Sequence, residues 1–247
     1  MELIQMLLAA IILGIIYKKM LKWEVGESIS KKQALLPIGL GVLSTILAFA
    51  VTLAIGYGLT VEGYSLNDIQ DPFLKAFVSA FLRAGLTEEF AKLLMILWAI
   101  RMLRPKNVYE YALRGGATGF GFTLLEEMVY GESIMTLFRL TDVAMHMSMG
   151  IIMGKYLGLG KYNRENGLLY KSSYVIALAV PVLIHTIYDA LTVYNPAIAA
   201  VGMDDESMAF WIIMGLIVIL CAVVFQIVII KGMKREAPRL SEMLLTK

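Results

Sequence analysis

Apolar stretches recur along the chain and are separated by short polar segments. Six of them are readily delimited, at 3–17, 34–57, 111–131, 137–157, 172–194 and 208–230. An α-helix crosses the ~30 Å hydrocarbon core of a bilayer with roughly 20 apolar residues, so each stretch is predicted to be a spanning helix. A signal peptide carries its positive charges before the apolar stretch. Here Lys18 and Lys19 follow the first stretch, which predicts an uncleaved first span.

The segment 73–103 is too long for one crossing and too short for two. As a single helix it would extend ~46 Å, against ~30 Å of hydrocarbon. We take Gly85 as a break, which gives an amphipathic or re-entrant helix at 73–84, with Arg83 on its polar side, and a crossing at 86–103. The predicted fold is an all-α, polytopic membrane helix bundle of about seven spans plus this one extra helix.

The composition agrees with a membrane protein. Hydrophobic residues make up 59% of the chain and charged residues 17%, whereas soluble domains average ~25% charged residues. The chain has one cysteine, Cys221, so no intrachain disulfide can form. The basic residues cluster at span ends and are not interleaved with exposed aromatic residues, so nothing indicates nucleic-acid binding. No internal repeat or low-complexity linker divides the chain, and we predict a single integral membrane domain, 1–247.

Positive charge is confined to alternate connecting segments. Of the 22 Lys and Arg residues, 18 lie at 18–33, 101–114, 155–171 and 231–247. The connecting segments that alternate with them, 58–72, 131–136 and 195–207, contain no Lys or Arg. Because cytoplasmic loops carry the excess of basic residues, this pattern predicts an N-terminus outside and a C-terminus inside.

Four predicted spans carry ionisable residues well inside their ends, where one charge costs at least ~2.5–3.5 kcal/mol on insertion scales. They are Glu88, Glu89 and Lys92; Glu126 and Glu127; Arg139, Asp142 and His146; and His185 and Asp189. Both histidines of the chain are among them, and each has an aspartate four residues away on the same helical face. At 1.5 Å per residue the four groups all fall in the outer half of the bilayer, so we expect them to converge on one site.

The adjacent glutamates of the first group point in different directions. Glu88 shares a helical face with Lys92, whereas Glu89 is turned about 100° away. We therefore expect Lys92 to hold Glu88 ionised, as an anchor or a water ligand. Glu89 or Glu126 would then carry the exchangeable proton.

Four motifs occur in order on separate spans: Glu88-Glu89-x-x-Lys92, Phe122-x-x-x-Glu126, His146-x-x-x-Gly150 and His185-x-x-x-Asp189. Together they resemble the PrsW family of glutamate-dependent intramembrane proteases, distant relatives of the CAAX prenyl endopeptidases. The resemblance covers about residues 75–195, with Tyr130 after the second motif and Arg139 before the third in agreement. The family typically has Asn at the position of Glu127 and often has Asn at the position of Asp189. A carboxylate cannot donate a hydrogen bond as an amide does.

The resemblance implies hydrolysis of a peptide bond of a membrane-anchored protein near the outer face of a prokaryotic cell membrane. It further implies first-site cleavage of an anti-sigma factor in stress signalling. A glutamate would take a proton from water, and a histidine would stabilise the oxyanion or protonate the leaving amine. The expected catalytic residues are Glu88, Glu89, Glu126, His146, His185 and Asp189. The expected supporting residues are Lys92, Phe122, Glu127, Tyr130, Arg139 and Asp142.

Two other hypotheses stay open. Two histidines and a glutamate match a catalytic zinc set, with His146 and His185 as ligands, although the local H-E-x-x-H signature is absent. We expect no metal to be required, because carboxylates outnumber histidines. Chains of Asp, Glu and His also relay protons or cations in transporters, although common transporter folds contain internal repeats. The expected partners are a membrane-anchored protein substrate and the lipid bilayer, and the sequence does not define the oligomeric state.

Overall fold

A computed structural model of the chain describes residues 2–26, 28–129, 140–141, 143–198 and 203–246. Within these residues the chain forms helices and no β-strand, which confirms the predicted all-α fold. The α-helices are α1 (Glu2–Trp23), α2 (Lys31–Val61), α3 (Pro72–Ala80), α4 (Leu86–Leu103), α5 (Val108–Val129), α6 (Met145–Glu165), α7 (Lys171–Leu191) and α8 (Asp205–Glu242).

Helix α5 lies at the centre of the bundle. It packs against α1, α2, α4, α6 and α8, and every residue from Val108 to Thr123 is buried. Because other helices enclose it, α5 can carry glycines and charged side chains without exposing them to lipid. The main group of buried apolar side chains joins α5 to α1, α6 and α8 and includes Leu13, Met20, Val108, Leu113, Met147, Ile151, Met233 and Leu240.

Within the described residues, four helices are long and apolar enough to cross a membrane on length and composition alone: Leu3–Trp23, Lys31–Val61, Lys171–Leu191 and Asp205–Glu242. They are α1, α2, α7 and α8. Helices α4, α5 and α6 are less apolar because they carry the buried charged and small residues. The total of about seven membrane crossings therefore stays a prediction, and so does the orientation of the protein in the membrane. The first helix runs past residue 17 to Trp23, since lysines are tolerated at an exposed helix C-terminus.

Glycines bring α5 and α6 together backbone to backbone. A Cβ atom at Gly150 would overlap the carbonyl oxygen of Gly115, and one at Gly119 would overlap that of His146. Small residues commonly permit such close helix packing in membranes. Gly119 thus determines how closely the backbone of His146 approaches α5.

Replacing Gly150 with Ala should destabilise the protein by about 1–3 kcal/mol, the usual cost of overpacking a close-packed contact. Thermal unfolding in detergent measures this effect. Gly14→Ala is the matched control, because a Cβ at Gly14 meets nothing within 4 Å. Equal unfolding temperatures for the two variants would contradict the close approach.

The expected break at Gly85 is wrong in one respect. The helical backbone continues through this glycine, with φ −50° and ψ −55°, and α3 is joined to α4 by a π-helical turn, Phe81–Gly85. Glycine is needed here for space, since a Cβ would overlap the hydroxyl oxygen of Thr186 on α7. The change of helix type thus separates α3 from α4 near the predicted position, without interrupting the chain's helical path.

Candidate functional site

The structure brings the ionisable side chains of four helices into one cluster. Helix α4 contributes Glu88, Glu89 and Lys92, α5 contributes Glu126, α6 contributes His146, and α7 contributes His185 and Asp189. The two imidazole ring centroids lie 5.1 Å apart. The close approach of α5 and α6 and the packing of α7 on Gly85 both help to place the histidines.

Glu89 is the innermost carboxylate of the cluster. Its side chain is fully buried, and Oε1 accepts hydrogen bonds from Lys92 Nζ at 2.6 Å and from His185 Nδ1 at 2.7 Å. The Lys92 side chain is also fully buried. A buried charge of this kind must be compensated by a partner, and Glu89 is the partner that compensates Lys92 at hydrogen-bond distance.

Lys92 also fixes the tautomer of His146. Lys92 Nζ lies 2.8 Å from His146 Nδ1, and an ammonium group can only donate. Nδ1 therefore accepts, and neutral His146 carries its proton on Nε2, which lies 2.6 Å from Glu126 Oε2. Phe122 completes this arrangement: Lys92 Nζ lies 3.8 Å from its ring centroid, and its ring packs against His146.

In His185 the roles of the two ring nitrogens are reversed relative to His146. Nδ1 donates to the carboxylate of Glu89, which leaves Nε2 facing two other carboxylates. Nε2 lies 3.8 Å from Glu88 Oε2 and 3.7 Å from Asp189 Oδ2. The predicted pairing of each histidine with an aspartate four residues away thus holds for His185, but its Nδ1 is fixed by Glu89.

Glu88 is the carboxylate that remains available. Its side chain is 18% exposed, and Oε2 lies 3.7 Å from Lys92 Nζ. Among the described residues, Oε2 has no hydrogen-bond partner, and Glu88 lines the large cavity described below. The expected pair of Glu88 and Lys92 is thus present at 3.7 Å, but Lys92 is closer to Glu89, at 2.6 Å, and which glutamate carries the exchangeable proton stays a prediction. Lys92 Nζ lies closer to Glu89, three residues away, than to Glu88, four residues away, because His185 holds Glu89 beside Lys92.

The second glutamate pair is divided between two helices. Glu126 contacts His146 on α6, as given above, whereas Glu127 is buried and accepts a hydrogen bond from Gln5 Nε2 of α1. Gln5 is itself buried. Sequence reasoning missed it, although a lone amide within an otherwise apolar first span was a signal that could have found it.

A cavity of about 1160 Å³ opens beside the cluster. Its charged wall contains Glu88, Glu126, His146, His185 and Asp189. Its apolar wall comes from α2 and α8 and includes Ile46, Phe49, Leu53, Ile212, Leu216 and Ile219. The cavity is larger than the ~300–1,000 Å³ typical of small-molecule sites, and its mixed lining suits a polypeptide that is partly in contact with lipid.

Three of the predicted supporting residues, Tyr130, Arg139 and Asp142, lie outside the described residues. The other predicted site residues all lie in or beside the cluster. Arg83, which was assigned only to a polar helix face, also lines the cavity.

The cluster fits a metal ion only in part. One ligand atom each from Glu88, His146 and His185 lie within 4.8 Å of one another, and the bond from His185 Nδ1 to Glu89 has the form of a carboxylate–histidine–metal arrangement. The ligand atoms of a tetrahedral zinc site lie ~3.4 Å apart, given bonds of ~2.0–2.1 Å. His146 Nε2, moreover, carries a proton directed at Glu126. A metal would thus require His146 to change both its tautomer and its partner.

Comparison with known proteins gives three curated relatives that share one name. A protein named "Protease PrsW" from Halalkalibacterium halodurans is 30% identical over 155 residues, which is 61% of this chain and 66% of the relative. Proteins of the same name from Oceanobacillus iheyensis and Bacillus subtilis are each 30% identical, over 46% of this chain and 54% of the relative. The chain thus matches about half to two-thirds of the length of these curated relatives. No solved structure matches the chain.

The sequence model of a family described as "PrsW family intramembrane metalloprotease" matches residues 30–229. The match includes every described catalytic candidate and begins after α1, so Gln5 lies outside it. The relatives are bacterial, and the apolar helices identify an integral membrane protein of prokaryotic type. The resemblance inferred from four short motifs is thereby confirmed over most of the sequence, and the chain belongs to the PrsW family.

Proposed function

We propose that the protein is an intramembrane endopeptidase in which Glu88 is the general base. The observation that carries the proposal is the Glu88 carboxylate: its side chain is 18% exposed and lines a peptide-sized cavity, and its buried Oε2 has no hydrogen-bond partner among the described residues. A general base must be within reach of the proton that it removes, and a water molecule in this cavity can reach the Glu88 side chain, which is 18% exposed.

The proposed reaction needs only side chains of this cluster. Glu88 removes a proton from water, and the resulting hydroxide attacks the carbonyl carbon of the scissile peptide bond. The Nε2–H of His146, whose tautomer Lys92 fixes, turns from Glu126 and donates a hydrogen bond to the oxyanion, a type of interaction that contributes ~2.7–4 kcal/mol in other enzymes. The carbon–nitrogen bond then breaks, and the leaving amine takes the proton from Glu88. His185 and Asp189 orient the water molecule, and Glu89 holds His185 in place.

The proposed substrate is a membrane-anchored protein, cut near the outer face of the membrane. The apolar wall from α2 and α8 favours a substrate with an apolar segment, and the charge pattern of the loops favours an outward-facing site. Following the family resemblance, we propose first-site cleavage of an anti-sigma factor as the physiological reaction. Reconstitution of the purified protein with a library of single-span membrane peptides, followed by mass spectrometry of the products, tests this function. A set of peptides that is transported intact would instead support a transporter.

The orientation can be tested by cysteine labelling in whole cells. In a Cys221→Ser background, we expect a membrane-impermeant maleimide to label Ser65→Cys, in the acidic segment 58–72. It should fail to label Leu169→Cys, which is highly exposed between α6 and α7 but lies in a basic segment. The reverse labelling pattern would place the site in the inner half of the bilayer and refute outer-face cleavage.

Zinc-dependent hydrolysis is the second candidate, because one cluster offers three ligand atoms and the family description names a metalloprotease. We propose that no metal is required, since Lys92 directs the proton of His146 to the nitrogen that would bind the metal. We expect prolonged dialysis against a chelator to leave cleavage unchanged. We also expect elemental analysis to find less than about 0.1 metal ion per active chain, whereas a protein that depends on zinc would contain about one ion per active chain. Stoichiometric zinc that is lost together with activity and restored with it would overturn the metal-free mechanism.

A further inference from the structure

We propose that Arg83 binds an acidic side chain of the substrate in a second cavity, and so selects substrates with Asp or Glu beside the scissile bond. This inference rests on the proposed function. The second cavity, of about 370 Å³, lies at the end of α2 and beside the short 3₁₀ turn Leu66–Asp68. Its lining includes three residues that carry hydroxyl groups, Thr60, Tyr64 and Ser65. It is therefore more polar in character than the apolar wall of the larger cavity.

The two cavities adjoin at Arg83. Thr52, Gly56 and Arg83 line both of them, and the larger cavity contains Glu88. A polypeptide with its scissile bond at Glu88 and its next residues in the second cavity must therefore pass the side chain of Arg83.

Arg83 is a cation with no carboxylate partner among the described residues. Of the residues that the structure describes, no other Lys or Arg lines either cavity, and four carboxylates line the larger one, those of Glu88, Glu126, Glu127 and Asp189. The guanidinium of Arg83 lies near the hydroxyl of Tyr194, which also lines the larger cavity. An arginine presents a rigid fork of N–H donors that matches a carboxylate, so an acidic side chain is the ligand that fits this position.

The backbone holds Arg83 in this place. It lies in the π-helical turn Phe81–Gly85, and its carbonyl oxygen accepts hydrogen bonds from Thr87 Oγ1 at 2.8 Å and from Thr52 Oγ1 at 3.1 Å. A π turn takes in one extra residue, which moves residues five apart toward the same side of a helix, and such turns are frequent at functional sites. Arg83 and Glu88 are five residues apart and line the same cavity.

The separation of the two groups predicts where the acidic residue lies in the substrate. Five residues of helix correspond to ~7 Å, and an extended substrate advances ~3.3–3.6 Å per residue. With the reach of the arginine side chain added, the acidic residue should lie roughly two to four residues from the scissile bond, on the side that occupies the second cavity.

The test uses the purified full-length protein in proteoliposomes and single-span peptides that differ only at these positions, with Glu, Gln or Lys. We expect the wild-type protein to cleave the Glu peptide at least ~10-fold more efficiently than the Lys peptide, mainly through a lower KM, a difference equivalent to ~1.4 kcal/mol. Arg83→Ala should remove the preference, Arg83→Glu should reverse it, and Arg83→Lys should retain most of it. Lys75→Ala is the matched control, because Lys75 lines neither cavity, and it should keep the wild-type preference.

Different outcomes separate this inference from the function on which it rests. Equal cleavage of all peptides by the wild-type protein, or an Arg83→Glu variant that still prefers the Glu peptide, would overturn the role of Arg83 and leave the protease intact. An effect of Arg83→Ala that follows the anionic lipid content of the vesicles and not the peptide charge would assign Arg83 to a lipid headgroup, and overturn the inference as well. A wild-type protein that cleaves no peptide would overturn the proposed function together with this inference.

Discussion

Replacing Glu88 with Gln is expected to lower kcat/KM for peptide cleavage by about 10²–10⁴-fold, the usual contribution of a general base. The amide keeps the size of the side chain but cannot remove a proton from water. The free energy of unfolding should change by less than about 1 kcal/mol, because Glu88 Oε2 has no hydrogen-bond partner among the described residues that the substitution could remove. Initial rates in proteoliposomes and thermal unfolding in detergent measure the two quantities.

Two further variants make this test specific. Glu62→Gln changes an exposed carboxylate away from the cluster and should retain wild-type activity. Glu126→Gln keeps an acceptor for His146 and should lose less activity than Glu88→Gln. If Glu126→Gln were inactive while Glu88→Gln retained most of the wild-type rate, the base would be misassigned.

Replacing Lys92 with Met is expected to destabilise the protein by about 3–5 kcal/mol and to abolish cleavage. The substitution leaves the buried carboxylate of Glu89 without its ammonium partner, and breaking a buried pair from one side has this cost. It also removes the donor to His146 Nδ1, so that His146 is no longer held with its proton on Nε2. Denaturant or thermal unfolding and cleavage rates should both respond.

The double variant Glu89→Gln/Lys92→Met separates the two effects of Lys92. Removing both charges eliminates the uncompensated carboxylate, so much of the lost stability should return. Activity should not return, because His146 still lacks its donor. A Lys92→Met protein as stable as the wild type, or a double variant that cleaves at the wild-type rate, would show that Lys92 does not support the site in this way.

The convergence of the ionisable residues could be predicted because the prediction depends only on helical rise and span order. His146 and His185 are the only histidines of the chain, and a depth calculation was enough to bring them to one level with Glu88 and Glu126. Charged residues are costly in hydrocarbon, so their positions in the sequence carry information that apolar residues do not.

The assignment of roles to Glu88 and Glu89 could not be predicted from one helix. Residues three and four apart both neighbour Lys92, and its long side chain can reach either carboxylate. The choice is made by α7, where His185 Nδ1 binds Glu89 at 2.7 Å and keeps it beside Lys92. That contact joins residues 96 positions apart, and nothing in the local pattern indicates it.

Contacts between distant helices explain the other differences. Gln5 on α1 binds Glu127 on α5, a pairing that depends on how two helices face each other. Gly85 was taken as a break because glycine weakens helices, but its role is to admit Thr186 of α7. In both cases the sequence indicates an unusual residue, and only the packing of the bundle gives its purpose.

The central claim is that Glu88 activates water for peptide hydrolysis within the membrane. The most direct measurement places the purified wild-type protein and the Glu88→Gln variant in identical proteoliposomes with one single-span peptide and identifies the products by mass spectrometry. We expect one principal cut by the wild-type protein, at a bond near the outer end of the peptide's apolar segment, and at least about 100-fold less of the same product from Glu88→Gln. Equal amounts of that product from the two proteins would contradict the central claim.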